Sequence, residues 1–231
     1  IEMYLSRKEK AATRIGADFE KVVFSVETDE QKILDYIAEK NADKNVDGIL
    51  LELPLPKKFD DAKIMEQVSP KKDPDCMTYE NLGRLLYGKP RILPATVKAI
   101  ADILNSSLNP MYHRNEAKPF AYKNAVVIGG GVELGKPLAL FLSDLGAAVS
   151  LCRSTTRDLK EYTKTADIII TAAGVPNIVK GDMVKNGVIV IDAGINLVNG
   201  KTSGDVDFES ISKKASFITP VPGGVGPVTI I

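Results

Sequence analysis

Hydrophobic and polar positions follow two rhythms along this chain, one of period near 3.6 and one of period 2, and the rhythm changes often. Residues 4–15 hold good helix formers with apolar positions at Leu5, Ala12 and Ile15, which predicts a helix. Residues 21–26 carry the β-branched run VVFSV and predict a buried strand. Thr28, Asp29, Glu30 and Gln31 have the spacing of a capping box, and Ile33, Leu34, Ile37 and Ala38 form the apolar face of the helix it opens. Residues 48–54 predict a second strand, stopped by Pro54. Helical periodicity returns over 62–68, 79–86 and 96–105. Residues 106–122 then break the pattern with two prolines and polar side chains, His113 among them as an exposed linker histidine. A domain boundary is expected there.

Beyond it the alternation restarts more strongly. Residues 125–128 predict a strand, Gly129, Gly130 and Gly131 a tight turn, 134–145 a helix and 148–152 the next strand. A polar helix is expected near 156–164, and strands at 167–171, 188–192 and 216–219. Strands separated by helices argue a parallel sheet. The fold class is therefore α/β, with two α/β domains, the second a Rossmann-type doubly wound parallel sheet.

Composition narrows the function. Apolar types make up 44% of 231 residues, enough to bury a core and to exclude a disordered chain. Thirty Lys and Arg balance thirty Asp and Glu, so the chain is not built as a general nucleic-acid or polybasic membrane binder. One histidine and no paired cysteine spacing argue against a zinc site, and no metal is expected. Cys76 and Cys152 read as free thiols of a reducing compartment. No run approaches the roughly 18–20 apolar residues of a membrane helix, and no signal peptide is visible, so the expectation is a cytoplasmic protein. The chain opens on Ile1 and stops within an apolar run at Ile231, so both ends are expected to be cut.

The chemistry-bearing segments lie at turns. A strand running into GGGVELG sets Gly129, Gly131 and Gly135 where backbone amides can approach a pyrophosphate at a helix N-terminus. The spacing is one residue longer than the usual fingerprint, and a turn that binds nothing is the alternative. At the end of the next strand an acidic residue would hold a ribose hydroxyl and favour NAD. Here stand Arg153, Ser154 and, further on, Arg157, which suit a 2′-phosphate and favour NADP over NAD. Tyr4 and Lys8 lie four apart, on one helix face. Asp73 and Asp75 flank Pro74 in a rigid turn, and three prolines with three glycines at 220–227 fix an unusual backbone path.

In order along nearly the whole chain, these segments resemble the bifunctional methylenetetrahydrofolate dehydrogenase/cyclohydrolase family. The matching motifs are Tyr4-x-x-x-Lys8, LELPLP at 51–56, KDPD at 72–75, Pro94-x-Thr96, VVIGGGVELGKP, CRSTT at 152–156, DAGIN at 192–196, GDVDF at 204–208 and ITPVPGGVGPVT at 218–229. The resemblance implies a folate-binding catalytic domain over 1–115, an NADP-binding domain over 116–220 and a segment, 221–231, returning to the first domain, with the folate and nicotinamide in a cleft between the domains. It implies Tyr4, Lys8, Glu52 and Asp75 at the reacting one-carbon unit and pterin. Leu51, Leu53, Val221, Pro222, Gly223, Gly224, Val225, Gly226, Pro227 and Thr229 would line the folate pocket. Gly129, Gly130, Gly131, Arg153 and Ser154 would hold the phosphates of the dinucleotide, and Ile195 would meet the nicotinamide by its backbone. The implied reaction is oxidation of 5,10-methylenetetrahydrofolate with NADP, then hydrolysis of the methenyl product to 10-formyltetrahydrofolate, a one-carbon supply for purine biosynthesis. A homodimer is implied, and no domain for formate ligation fits in the chain.

Three positions depart from the family pattern. Glu52 stands where the family usually has Gln, and a carboxylate there favours the ammonium form of Lys8. Hydride transfer should survive that change, whereas a hydrolytic step needing a neutral lysine should slow unless Glu52 becomes the base itself. The family's Arg-Ser pair after the first glycine is Gly130-Gly131 here, with Arg153 able to restore the charge. Cys76 replaces a usual glycine. Two rivals are weighed beside the family reading: a two-domain dehydrogenase of shikimate or amino-acid type, and a non-catalytic dinucleotide-binding homologue.

Overall fold

The computed structural model describes residues 2–107 and 118–230, the side chains of 2–4 and 107 excepted; His113 lies outside the described residues. Two compact units are present, Ile1–Ala95 with Ile230–Ile231, and Thr96–Thr229.

The first unit is built around helices. Helix α1 spans Glu2–Ile15, α2 Glu30–Ala42, α3 Asp61–Met65 and α4 Tyr79–Leu86. The start of α2 is capped by Asp29, which accepts from the Gln31 amide, so the cap sits one residue later than the capping box placed it. Asp60 caps α3 by accepting from the Ala62 and Lys63 amides. Ile33 and Ile37, one turn apart on α2, meet Ile64, Met65 and Val68 in a buried cluster. Ile49, Leu51, Leu53 and Leu55 pack on the same cluster with period 2, which leaves Glu52 on the opposite side of the segment.

Neither expected strand of this unit forms a ladder among the described residues. Residues 21–26 are not buried: Val23 is 76% exposed and Val26 59%, while Phe24 alone turns inward, edge-on to Tyr36. The 48–54 segment is extended, but its recorded backbone bond is Ile49 N–H to the Lys72 carbonyl at 2.7 Å. A β-branched run becomes a strand only when a partner supplies the other half of each hydrogen bond, and none is described here.

The second unit is a parallel sheet covered on both faces. Its strands are β1 Asn124–Ile128, β2 Ala148–Cys152, β3 Ile168–Thr171, β4 Ile189–Asp192 and, after the β5 Asn196–Val198 and β6 Lys201–Ser203 hairpin, β7 Phe217–Ile218. The order β2-β1-β3-β4-β7 puts the change of direction between β1 and β3. Alternation sorts the side chains. Ala125, Val127, Ile168, Ile170, Ile189 and Ile191 pack with Leu138 and Leu142 of helix α6 (Gly135–Asp144) and with Val97, Ile100 and Leu104 of helix α5 (Ala95–Ser107). Val126, Ile128, Ile169 and Val190 face the other way, with Val179, Val206 and Ile211. Burial on both faces explains why these strands read as unbroken apolar runs.

Helix α5 therefore belongs with the sheet. Helix α7 spans Leu159–Thr163, α8 Phe208–Ser212 and α9 Val225–Thr229; α8, α9 and the hairpin carry no period long enough to read from sequence.

Candidate active site

In the first unit three distant segments meet at one charged cluster. The Lys8 Nζ lies 2.5 Å from Glu52 Oε1, and both side chains keep about a quarter of their surface exposed. The pairing follows from α1 presenting Lys8 and from the period-2 segment turning Glu52 away from the core. Asp75 completes the cluster electrostatically. Burial foremost holds its carboxyl above the ordinary range; Lys8 pulls it down, and Asp73 and Glu52 push it up. Tyr4 stands one helical turn before Lys8 in α1, with its side chain outside the described residues.

The two carboxylates of the KDPD turn do different work. Asp73, only 4% exposed, accepts from the Met77 and Thr78 amides, the Thr78 hydroxyl and the Asn81 side chain, and so holds the start of α4. The Asp75 carboxylate has no hydrogen-bond partner among the described residues and is the one left for a ligand. Between turn and helix, Cys76 adopts φ 57°, in the left-handed region that glycine takes without strain. Its side chain is fully buried, and burial with the nearby Asp73 pushes the thiol up to about 11, so it is inert as a nucleophile.

In the second unit the glycine turn lies at the C-terminal end of β1, beside the change in strand order, where open α/β sheets bind ligands. A Cβ on Gly135 would fall 1.7 Å from the Gly129 carbonyl oxygen, and one on Gly129 (φ 117°) would fall 2.2 Å from the Ala172 oxygen. Close packing of turn, helix and neighbouring loop thus excludes side chains at both positions. Gly131 faces open space, with nothing within 4 Å of its Cβ position. The amides are not equivalent: Gly129 N–H is spent on the Cys152 carbonyl at 3.0 Å, while those of Gly130 and Gly131 have no acceptor among the described residues. A side-chain-free concavity with open N–H groups at the start of α6 fits the pyrophosphate of a dinucleotide.

Arg153 and Ser154 open the exposed turn after β2, closed by Arg153 N–H to Thr156 Oγ1 and Thr156 N–H to the Arg153 carbonyl, both at 2.9 Å. The Arg153 side chain runs over Gly130, and its guanidinium has no carboxylate partner among the described residues. Ile195, in the loop between β4 and β5, is 54% exposed.

The proline-glycine segment is less loop-like than its composition suggests. Gly223 takes φ 107°, Gly224 packs where a Cβ would fall 2.5 Å from the Pro220 oxygen, and α9 begins at Val225. Val225 is 3% exposed and sits in the core beside the sheet, so its side chain is turned inward. Pro222, Gly223 and Pro227 remain exposed.

Two residues that carry no role in the sequence reading stand out here. Asp192, at the end of β4, is 2% exposed, and burial raises its carboxyl against four hydrogen bonds that favour the charge. Asp205 is fully buried and accepts four hydrogen bonds. The signal available in sequence was the pairing of Asp with Gly in DAGIN and GDVDF, which marks loops but not their partners.

Comparison with known proteins shows the family and the fold. The tetrahydrofolate dehydrogenase/cyclohydrolase catalytic-domain model matches residues 1–75, and that of the family's NAD(P)-binding domain matches residues 94–231. The bifunctional protein FolD of Caldanaerobacter subterraneus subsp. tengcongensis is 47% identical over 228 residues, 99% of this chain and 78% of the relative; that of Dechloromonas aromatica is 45% identical over 230 residues, with the same shares. Among solved structures, the bifunctional FolD methylenetetrahydrofolate dehydrogenase/cyclohydrolase of Campylobacter jejuni superposes with TM-score 0.93 at 40% identity, covering 99% of this chain and 79% of that one. The Trypanosoma brucei enzyme, solved with NADP and an inhibitor, superposes with TM-score 0.90 at 32% identity, covering 99% and 78%. This chain belongs to the tetrahydrofolate dehydrogenase/cyclohydrolase family.

Proposed function

We propose that this protein oxidises 5,10-methylenetetrahydrofolate to 5,10-methenyltetrahydrofolate with NADP and hydrolyses the product to 10-formyltetrahydrofolate, in one-carbon metabolism. The observation that carries the reading is the meeting of Lys8, Glu52 and Asp75 in the unit matched by the family's catalytic-domain model.

Lys8 and Tyr4 act at the one-carbon bridge. The Lys8 ammonium and the Asp75 carboxylate orient the folate, with Asp75 on the pterin edge, and Glu52 fixes the position of Lys8. Leu51 and Leu53 flank Glu52, and Val221, Pro222, Gly223, Gly224, Gly226, Pro227 and Thr229, with the backbone of Val225, line the folate. NADP, when bound, supplies the hydride acceptor. Gly130 and Gly131 hold its pyrophosphate with Gly129 shaping the turn beneath them, Ser154 and Arg153 hold its 2′-phosphate, and the backbone of Ile195 its nicotinamide end. NAD lacks the group that Arg153 faces and is the poorer substrate.

The catalytic work is divided among 1–115 for folate, with helix α5 serving as support for the sheet, 116–220 for the dinucleotide and 221–231 as the returning segment. The protein acts in the cytoplasm as a homodimer. Among the described residues no helix is long and apolar enough to cross a membrane.

Hydrolysis needs an activated water, and Glu52 Oε1, 2.5 Å from the Lys8 Nζ, occupies the nitrogen that would have to take the water's proton. The Lys8–Glu52 contact therefore favours a second reading, a dehydrogenase with weakened cyclohydrolase. Both are tested in one cuvette with methylenetetrahydrofolate and either NADP or NAD. NADP reduction followed by decay of the methenyl absorbance supports the bifunctional reading, and accumulating methenyl product the weakened one. No reduction with either cofactor sinks both and leaves the non-catalytic homologue.

A further inference from the structure

We propose that Asp205 is a positioning residue for the dinucleotide site, an internal anion that holds the loop after β3 in the shape the phosphate turn requires. The inference rests on the dinucleotide reading above. It starts from three consecutive backbone amides. Ala173 and Gly174 donate to Asp205 Oδ2 at 2.6 and 3.1 Å, and Val175 donates to Oδ1 at 3.0 Å. Successive N–H groups curled around one point make an anion-binding concavity. Here the protein fills it with its own carboxylate, which also accepts from the Asn196 side chain at 2.8 Å.

The clamp reaches both ends of the site. The loop it holds is the one against which Gly129 packs, since a Cβ on Gly129 would fall 2.2 Å from the Ala172 oxygen and 3.2 Å from the Ala173 nitrogen. A shift of that loop towards the turn displaces Gly129, and with it the open amides of Gly130 and Gly131. On its other side Asp205 holds Asn196, next in sequence to Ile195. Bare backbone makes room for the arrangement: a Cβ on Gly194 would fall 2.1 Å from the Asp205 carboxyl carbon. Asp192 anchors the clamp itself, accepting from the Asp205 amide at 3.1 Å and the Gly194 amide at 2.9 Å. Fully buried and out of reach of solvent, Asp205 acts through the loops and not on the substrate.

The test is Asp205→Asn. Each carboxylate oxygen takes two donors, so whichever way the amide turns, its NH2 faces a pair of N–H groups. Affinity for NADPH is measured by fluorescence titration, beside the KM for NADP in the dehydrogenase assay and the rate of methenyltetrahydrofolate hydrolysis, which needs no hydride acceptor. The expected result is NADPH binding about tenfold or more weaker, with the KM for NADP rising to match and hydrolysis within about twofold of the parent. Unchanged NADPH affinity overturns the proposal, as does a parallel fall of both activities. Should Asp205→Asn fail to fold, Asn196→Ala removes one of the four donors to Asp205, together with the Asn196 bond to the Gly204 carbonyl at 3.0 Å; a smaller but selective loss of NADPH affinity then supports the clamp, and none overturns it. A parent that binds NADPH but turns over no folate defeats the proposed function and leaves the binding comparison to decide on Asp205. A parent that does not bind NADPH overturns both.

Discussion

Arg153 occupies the space that a side chain at Gly130 would need: a Cβ there would fall 2.7 Å from Arg153 Nε and 3.0 Å from its Cγ. The two positions are reciprocal. With no side chain at 130, the arginine after β2 extends over the glycine turn and brings a positive charge to it.

Arg153→Gln is expected to raise the KM for NADP by about 10- to 100-fold, the value of a charge-assisted hydrogen bond, and to leave the KM for NAD within about twofold. Gly130→Ala should act in the same direction, more weakly, because its methyl group displaces the arginine arm without removing it. Steady-state kinetics with both cofactors decide. An unchanged NADP to NAD preference in Arg153→Gln would show that the arginine is a solvated surface group.

Lys8 and Glu52 give the second prediction. Glu52→Gln keeps a hydrogen bond to Lys8 and removes the charge that holds it. Hydrolysis of methenyltetrahydrofolate should rise by about fivefold or more in the variant, while the dehydrogenase rate stays within about twofold. If hydrolysis falls instead, Glu52 is itself the base. Equal rates in parent and variant would remove Glu52 from the mechanism.

Asp75 trades stability for chemistry. Its carboxyl is held above the ordinary range, by burial first and with Lys8 opposing, so the native state binds this proton more tightly than the unfolded chain. The contribution to stability is full below the unfolded value of about 3.9 and is lost as pH rises through the native one. Asp75→Asn should therefore melt higher than the parent at pH 7, with the gain shrinking towards pH 3, while both activities fall about 100-fold or more. Thermal melts at the two pH values check it; a lower melting temperature at pH 7 would contradict the sign.

Cys76 gives a stability test in which no charge is added or removed. Cys76→Gly relieves a left-handed conformation worth about 1–2 kcal/mol and gives up a small buried side chain of similar value, so its melting temperature should move by only about 3 °C. Cys76→Val keeps the burial but puts a β-branched residue at positive φ, and a loss of about 2–3 kcal/mol is expected. Equal stabilities for the two variants would place the cost in packing and not in the backbone.

What the sequence determined by itself was local or repetitive. Helices α1, α2, α4, α5 and α6 were legible because an apolar stripe of period 3.6 and hydrogen bonds four residues apart are contained in the segment that forms them. Strands β1, β3 and β4 were legible because burial on both faces demands an unbroken apolar run, and the edge strand β2, only partly buried, by its short apolar segment after the α6 turn. The ordered motifs pointed to the family, and the glycine turn and the Tyr4-x-x-x-Lys8 spacing marked candidate positions within it.

The tertiary structure decided what depends on a distant partner. Residues 21–26 have strand composition, yet without a described neighbour to complete their hydrogen bonds they lie exposed. Lys8 and Glu52 are forty-four positions apart, and only folding sets their charges 2.5 Å from each other. Asp73 and Asp75 look alike in sequence, but four donors converge on the first and none described on the second. Asp205 follows the same rule: a carboxylate can be buried only where donors converge on it, and its donors come from loops about thirty and nine residues away, which no local pattern records.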